Sequence, residues 1–247
     1  MSLIKYIRIF LGRFISFFCI SAAKRRFIRK FFEEYDLREA KRCKSFKHQI
    51  ISLGFNCSAR TVTTLYGLKA RKIYGEKTII TDQTFFGNIK ELVFLWNTHF
   101  EDYFDGLYFN KDINAWYVPK YNSFSPHEYK LSKEQFIKTL KKRINNFYEM
   151  INTDKYAIFL RIDEAELTPE DVKLLSDKIK ETRKGKPYKL ILVNLNNKHI
   201  DLELENTIII NNPYKLSAKW QLELDTPEGK KFCDSFINPI NRIIEEL

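Results

Sequence analysis

The chain of 247 residues reads as an α/β protein: a largely parallel sheet with flanking helices, preceded by a basic amphipathic N-terminal helix. Three observations predict this. From Gln49 onward, strand-like and helix-like segments alternate, as in a parallel sheet closed by crossovers. The length and the 44% hydrophobic content suffice for a sizeable core and exclude a disordered chain. The charge is lopsided: residues 1–48 hold thirteen Lys and Arg against four acids, a net +9, leaving +2 of the overall +11 for residues 49–247.

The organisation predicted is therefore a basic arm over residues 1–48 and one α/β domain over 49–247, with no Gly/Ser/Pro linker and no internal repeat inside the domain. The arm has no acid before Glu33. Lys5, Arg8, Gly12 and Ser16 fall on one narrow helical stripe, among many large apolar residues. The longest uncharged run, Phe14 to Ala23, is ten residues, about half of what a membrane span needs. The cluster Lys24-Arg25-Arg26 tends to stay on the cytoplasmic side. The arm is read as an interfacial helix. Phe14, Phe17 and Phe18 enter the acyl boundary, while Lys5, Arg8, Lys24, Arg25, Arg26, Arg29 and Lys30 meet an anionic membrane surface. This places the protein in the cytoplasm, peripheral on the inner membrane. The alternatives are a helix docking on its own domain or on a partner subunit, and a cleaved or spanning segment. Nucleic acid is not an expected partner, because the basic excess is not spread over the folded body.

Within the domain, Gln49–Gly54 is a short apolar run ending at Gly, and Cys57–Leu68 has helical spacing closed by Gly67. Lys72–Thr81 is β-rich, and Asn88–Asn97 carries apolar residues at helical spacing. Trp116–Val118 predicts a strand in an aromatic, irregular stretch. Ser132 caps a long helix to about Met150, and Tyr156–Ile162 is a buried-type strand. Thr168-Pro169-Glu170-Asp171 starts a helix that runs to about Thr182. Lys189–Leu195 and Thr207–Asn211 are two more strands, and Thr226-Pro227-Glu228 starts a last helix broken at Pro239.

The four cysteines, at 19, 43, 57 and 233, show no paired spacing, so neither a disulfide scaffold nor a zinc ribbon is predicted. No Gly-rich phosphate loop occurs, and no metal or cofactor is expected. The sharpest local feature is Ser52-Leu53-Gly54-Phe55-Asn56-Cys57-Ser58, a strand end followed by a helix start. A thiol at a helix start lies near unpaired N–H groups that favour the thiolate and an oxyanion. Cys57 is the candidate nucleophile, against the alternative of a small buried residue in a tight turn. Asn56 donates to an oxyanion or adopts a left-handed turn. Of the histidines 48, 99, 127 and 199, His127 sits in a Pro-containing connection and is the most site-like base.

Ser-Leu-Gly-x-Asn-Cys, followed by a helix carrying Leu65 and Gly67-Leu68, resembles a bacterial family of papain-like cysteine peptidases associated with surface-polysaccharide genes. In that family a Pro-Phe-Asp-Trp motif, a His, a basic helix and an apolar strand ending in Arg follow. Here Ile80-Thr81-Asp82-Gln83 stands at the first, keeping only Asp82. His127, Lys142–Phe147 and Phe159-Leu160-Arg161 stand at the others. The resemblance implies Cys57 as nucleophile, His127 as base and Asp82, rather than its rival Asp163, as the acid orienting the base. Gly54, Asn56 and Arg161 are assigned to substrate binding. The expected function is a cysteine-dependent hydrolase or group-transfer enzyme acting at the membrane in surface-glycan assembly, with lipid-linked glycans or glycan-assembly enzymes as partners. A glycosyltransferase-type enzyme of the same pathway, without a cysteine nucleophile, is the first alternative. A non-catalytic membrane tether is the second.

Overall fold

A computed structural model describes residues 3–19, 21–215, 217 and 220–247, with the side chains of 3–5, 22, 23, 26, 27 and 30 outside the description. The chain divides into two units, Met1–Phe46 with Ala70–Glu76, and Lys47–Lys69 with Lys77–Leu247.

The first unit holds α1 (Leu3–Phe17), α2 (Ala22–Glu34) and α3 (Leu37–Lys44). The small and polar stripe of α1 is the face that meets α2. A Cβ added at Gly12 would lie 2.6 Å from the Phe32 Cβ, so only glycine permits this approach. One turn on, Ser16 is fully buried and accepts a 2.9 Å hydrogen bond from Arg29 Nε. Arg8 donates to the Tyr35 carbonyl. Asp36 caps α3, accepting from the N–H groups of Arg38 and Glu39. Tyr74, from the second segment of the unit, packs on Tyr35 at 5.5 Å.

The second unit carries a parallel sheet of β1 (His48–Ser52), β5 (Tyr156–Asp163), β6 (Tyr188–Asn194) and β7 (Thr207–Asn211), in that spatial order. Between β1 and β5 lie α4 (Ser58–Leu65), α5 (Ile89–Asn97) and a small antiparallel sheet. That sheet comprises β2 (Tyr108–Asn110), β3 (Ala115–Val118) and β4 (Ser123–Ser125), and α6 (Lys133–Ile151) follows it. Then α7 (Pro169–Arg183) joins β5 to β6, and α8 (Trp220–Glu223) and α9 (Pro227–Glu245) follow β7.

Strand alternation sorts the apolar residues onto two faces. Ile51, Phe159, Leu190 and Leu192 join a core with α5, α6 and α7. Ile50, Ile158, Leu160, Ile191 and Val193 join a second core with α4 and α9. The parallel strand β5 is buried on both faces, hence its nearly continuous apolar run.

The start signals work as their chemistry dictates. Ser132 and Gln135 form a capping box at α6, and Thr168 and Asp171 form one at α7 with Pro169 in its first turn. Two expectations are corrected. Lys72–Thr81 forms no strand: it contains 3-10 turns at Lys72–Tyr74 and Ile80–Asp82, with a left-handed Gly75 between them. Nor does α9 break at Pro239. Pro removes one backbone hydrogen bond, but buried Phe232, Phe236, Ile237 and Ile240 hold the helix on both sides of it.

Candidate functional site

The chain leaves β1 through two successive left-handed residues, Gly54 (φ 80°) and Phe55 (φ 64°). Gly54 is buried against the Phe86 ring, and a Cβ there would lie 3.1 Å from it. A bulky residue at positive φ is a steric outlier, costing about 1–3 kcal/mol. The turn ends with Asn56, whose Oδ1 accepts a 2.8 Å hydrogen bond from the Ser58 N–H. Cys57 is the residue that caps α4. Asn56 is thus fixed by an Asx-type turn, and its own φ is not positive.

Cys57 is partly buried. Burial pushes its thiol above the ordinary range. A hydrogen bond from Thr61, its own backbone N–H and the charge of Arg60 oppose this, and Asp82 adds to the rise. The thiolate expected at the helix start is therefore not favoured in this conformation: loss of hydration outweighs the two hydrogen bonds and the Arg60 charge. The nearby cation is Arg60, three residues along α4, rather than a histidine.

Asp82 is fully buried and already saturated. Its Oδ1 accepts from Ser52 Oγ at 2.5 Å and lies 3.5 Å from Lys69 Nζ. Its Oδ2 accepts from Arg60 and, at 3.0 Å, from the Ile79 N–H. Lys69 also donates to the Ile50 carbonyl at 2.7 Å, tying the cluster to β1. His127 is exposed on the connection between β4 and α6. Among the described residues it makes no hydrogen bond to Cys57 or Asp82. Asp82 holds Arg60 and the end of β1 instead of orienting a base.

Arg161 is enclosed on every side, at 0% exposure. It donates to Asp163 Oδ2 at 2.6 Å, the Leu53 carbonyl at 2.9 Å and the Phe86 carbonyl at 3.0 Å. The substrate contact expected of it is replaced by this internal role: one guanidinium ties the β1–α4 turn, the segment at Phe86 and the end of β5. Asp163, the rival acid, is spent in that tie, and burial raises its pKa. A cavity of about 160 Å³ opens at the carboxyl end of β5, lined by Gly87, Asn88, Lys90, Asp163, Glu166 and Asp171 among others. Cys57 is not among its lining residues.

Arg60, Lys69 and Phe86 escaped the sequence reading. The i, i+3 spacing from Cys57 is a usable signal for Arg60. Nothing local marks the other two. No group of His, Cys, Asp and Glu able to hold a metal occurs among the described residues.

In the arm, Phe14, Phe17 and Phe18 are exposed, and Phe18 packs edge-on against the other two at 5.3 and 5.7 Å. Lys24 and Arg25 are exposed, whereas Arg8 and Arg29 serve the α1–α2 contact. The expected contacts of the Lys5, Arg26 and Lys30 side chains lie outside the described residues. Among those residues no helix is long and apolar enough to cross a membrane.

Residues 91–198 match a protein family described as "putative papain-like cysteine peptidase". The matched stretch runs from α5 to just past β6 and includes His127 and Arg161. Cys57 and Asp82 precede it. No curated protein and no solved structure matches the chain.

Proposed function

We propose that the protein is a cysteine-dependent hydrolase or group-transfer enzyme in which Cys57 is the attacking group. One observation carries this: a strained strand–turn–helix, with Phe55 at positive φ, delivers a thiol to the carboxyl edge of a parallel sheet. Strain of this kind persists where a site needs it, and ligands of open α/β sheets gather at that edge. The similarity over residues 91–198 supports the same class of chemistry.

The thiol loses its proton and the sulfur attacks an acyl carbon. A C–S bond forms, and the leaving alcohol or amine takes up the proton. Water or an acceptor hydroxyl then cleaves the thioester. Arg60, held by Asp82, favours the anion at sulfur. His127 is the assigned proton acceptor, lying outside that cluster in this conformation. The finer reading is surface-glycan assembly on a lipid-linked substrate. It rests on the resemblance at Ser52–Cys57 and on the basic arm.

The test uses p-nitrophenyl acetate as an activated acyl donor on the full chain. A burst of nitrophenolate is expected, with one hydroxylamine-labile acetyl on Cys57 by intact mass. Both are lost in Cys57→Ala, and Arg60→Met slows acylation. Equal acetyl uptake by Cys57→Ala would leave a sugar transferase or a tether as the better description.

A further inference from the structure

We infer that the α1–α2 hairpin is a monotopic anchor whose occupant is the interfacial zone of an anionic bilayer. The inference stands apart from the Cys57 chemistry. An amphipathic helix in a water-soluble protein normally turns its apolar stripe inward. Here the order is reversed. The stripe facing α2 is the narrow one, with Gly12 against Phe32 and Ser16 against Arg29. On the opposite side Ile7, Phe10, Leu11, Phe14 and Phe18 recur at i, i+3, i+4, i+7 and i+11, and all are exposed, Phe10 at 65% and Phe18 at 69%. Tyr6 and Phe17 widen this strip.

Charge complementarity selects the occupant. The hairpin, residues 3–34, holds eight Lys and Arg against Glu33 and Glu34. Arg13, Lys24 and Arg25 are exposed, free of ion pairs among the described residues. Fifteen residues of α1 lying flat present apolar rings to the acyl boundary and cations to phosphate headgroups. The same helix is too short and too charged to span. A protein partner matching this surface would have to offer an apolar groove with an acidic rim. The membrane surface already combines both features.

The experiment is flotation of the full chain with phosphatidylcholine vesicles, with and without phosphatidylglycerol. Wild type is expected to float with the anionic vesicles, to stay down with neutral ones, and to be released by high salt. Phe10→Ser/Phe14→Ser/Phe18→Ser, which alters only exposed positions, is expected to lose flotation while keeping the far-ultraviolet dichroism of wild type. Arg13→Gln/Lys24→Gln/Arg25→Gln is expected to lower the partition coefficient by about 100-fold, at about fivefold per charge. Acylation of Cys57 in lipid-free buffer is read separately, so either idea can fail alone. Wild type that stays down with anionic vesicles overturns the anchor. So does wild type that sediments as a dimer dissociated by the triple-Ser variant, which would assign the strip to a second copy.

Discussion

At the scale of single residues, the cations rather than Cys57 organise the centre of the second unit. Arg161 is a buried charge whose partners are one carboxylate and two carbonyls. Removing it leaves Asp163 enclosed without its cationic partner, held by the Ala165 N–H alone. Arg161→Met is therefore expected to lower the unfolding free energy by about 3–5 kcal/mol, read from urea midpoints. Adding Asp163→Asn should restore part of that loss, since the stranded charge disappears with it. A loss under about 1 kcal/mol for the single variant would show that Arg161 does not hold these segments together. Lysine is no substitute, because its ammonium cannot fork to three acceptors set in different directions. These partnerships were illegible in the sequence. Arg161 and Leu53 are 108 residues apart, and nothing near either announces the other. Cys57 was legible as the residue at a strand–helix turn. Its raised pKa was not, because that comes from what covers it.

At the scale of elements, the legible ones carry their own local chemistry. α6 and α7 announce themselves through capping boxes, and β5 and β6 through nearly continuous apolar runs. The three-residue strands β2 and β4 have no such signal, and they exist because β3 lies between them. Strand β1 is legible in its apolar run, yet its first residue adds something the run does not show. His48 is buried, with Nε2 2.9 Å from the Leu68 carbonyl, to which it donates. Burial holds the ring below the ordinary histidine pKa, helped by Lys155 and opposed by that hydrogen bond. The fold thus prefers the neutral ring. Its contribution is complete above the unfolded-state value of about 6.5 and is lost as pH falls through the lower folded value. Wild type should lose stability from about pH 6.5 downward relative to His48→Gln. Paired thermal melts across that range check it, and parallel curves would exclude His48 as the source.

At the scale of the molecule, the alternation of strands and helices was enough to expect a parallel sheet, because that arrangement is written in short-range periodicity. The two-core layout follows from strand alternation once the sheet order is known, and the order itself depends on long-range pairing. The same layout makes stability uneven. β5 is buried on both faces and flanked by β1 and β6, so its amides open only when both cores come apart. In the first unit the described side chains that are buried are few: Ser16, Ala40 and Cys43. With few described side chains withdrawn from water, α1 and α2 are expected to open more readily than β5. Hydrogen exchange on the lipid-free protein should then separate the two by orders of magnitude. Amides 157–162 and 190–193 should exchange at the rate of global unfolding, and those of α1 and α2 far sooner. Adding phosphatidylglycerol vesicles should slow exchange in α1 and α2 and leave β5 unchanged, because the bilayer supplies the burial that the hairpin lacks in water. Arm amides as protected as those of β5 without lipid would mean that its exposed apolar strip is already covered in solution.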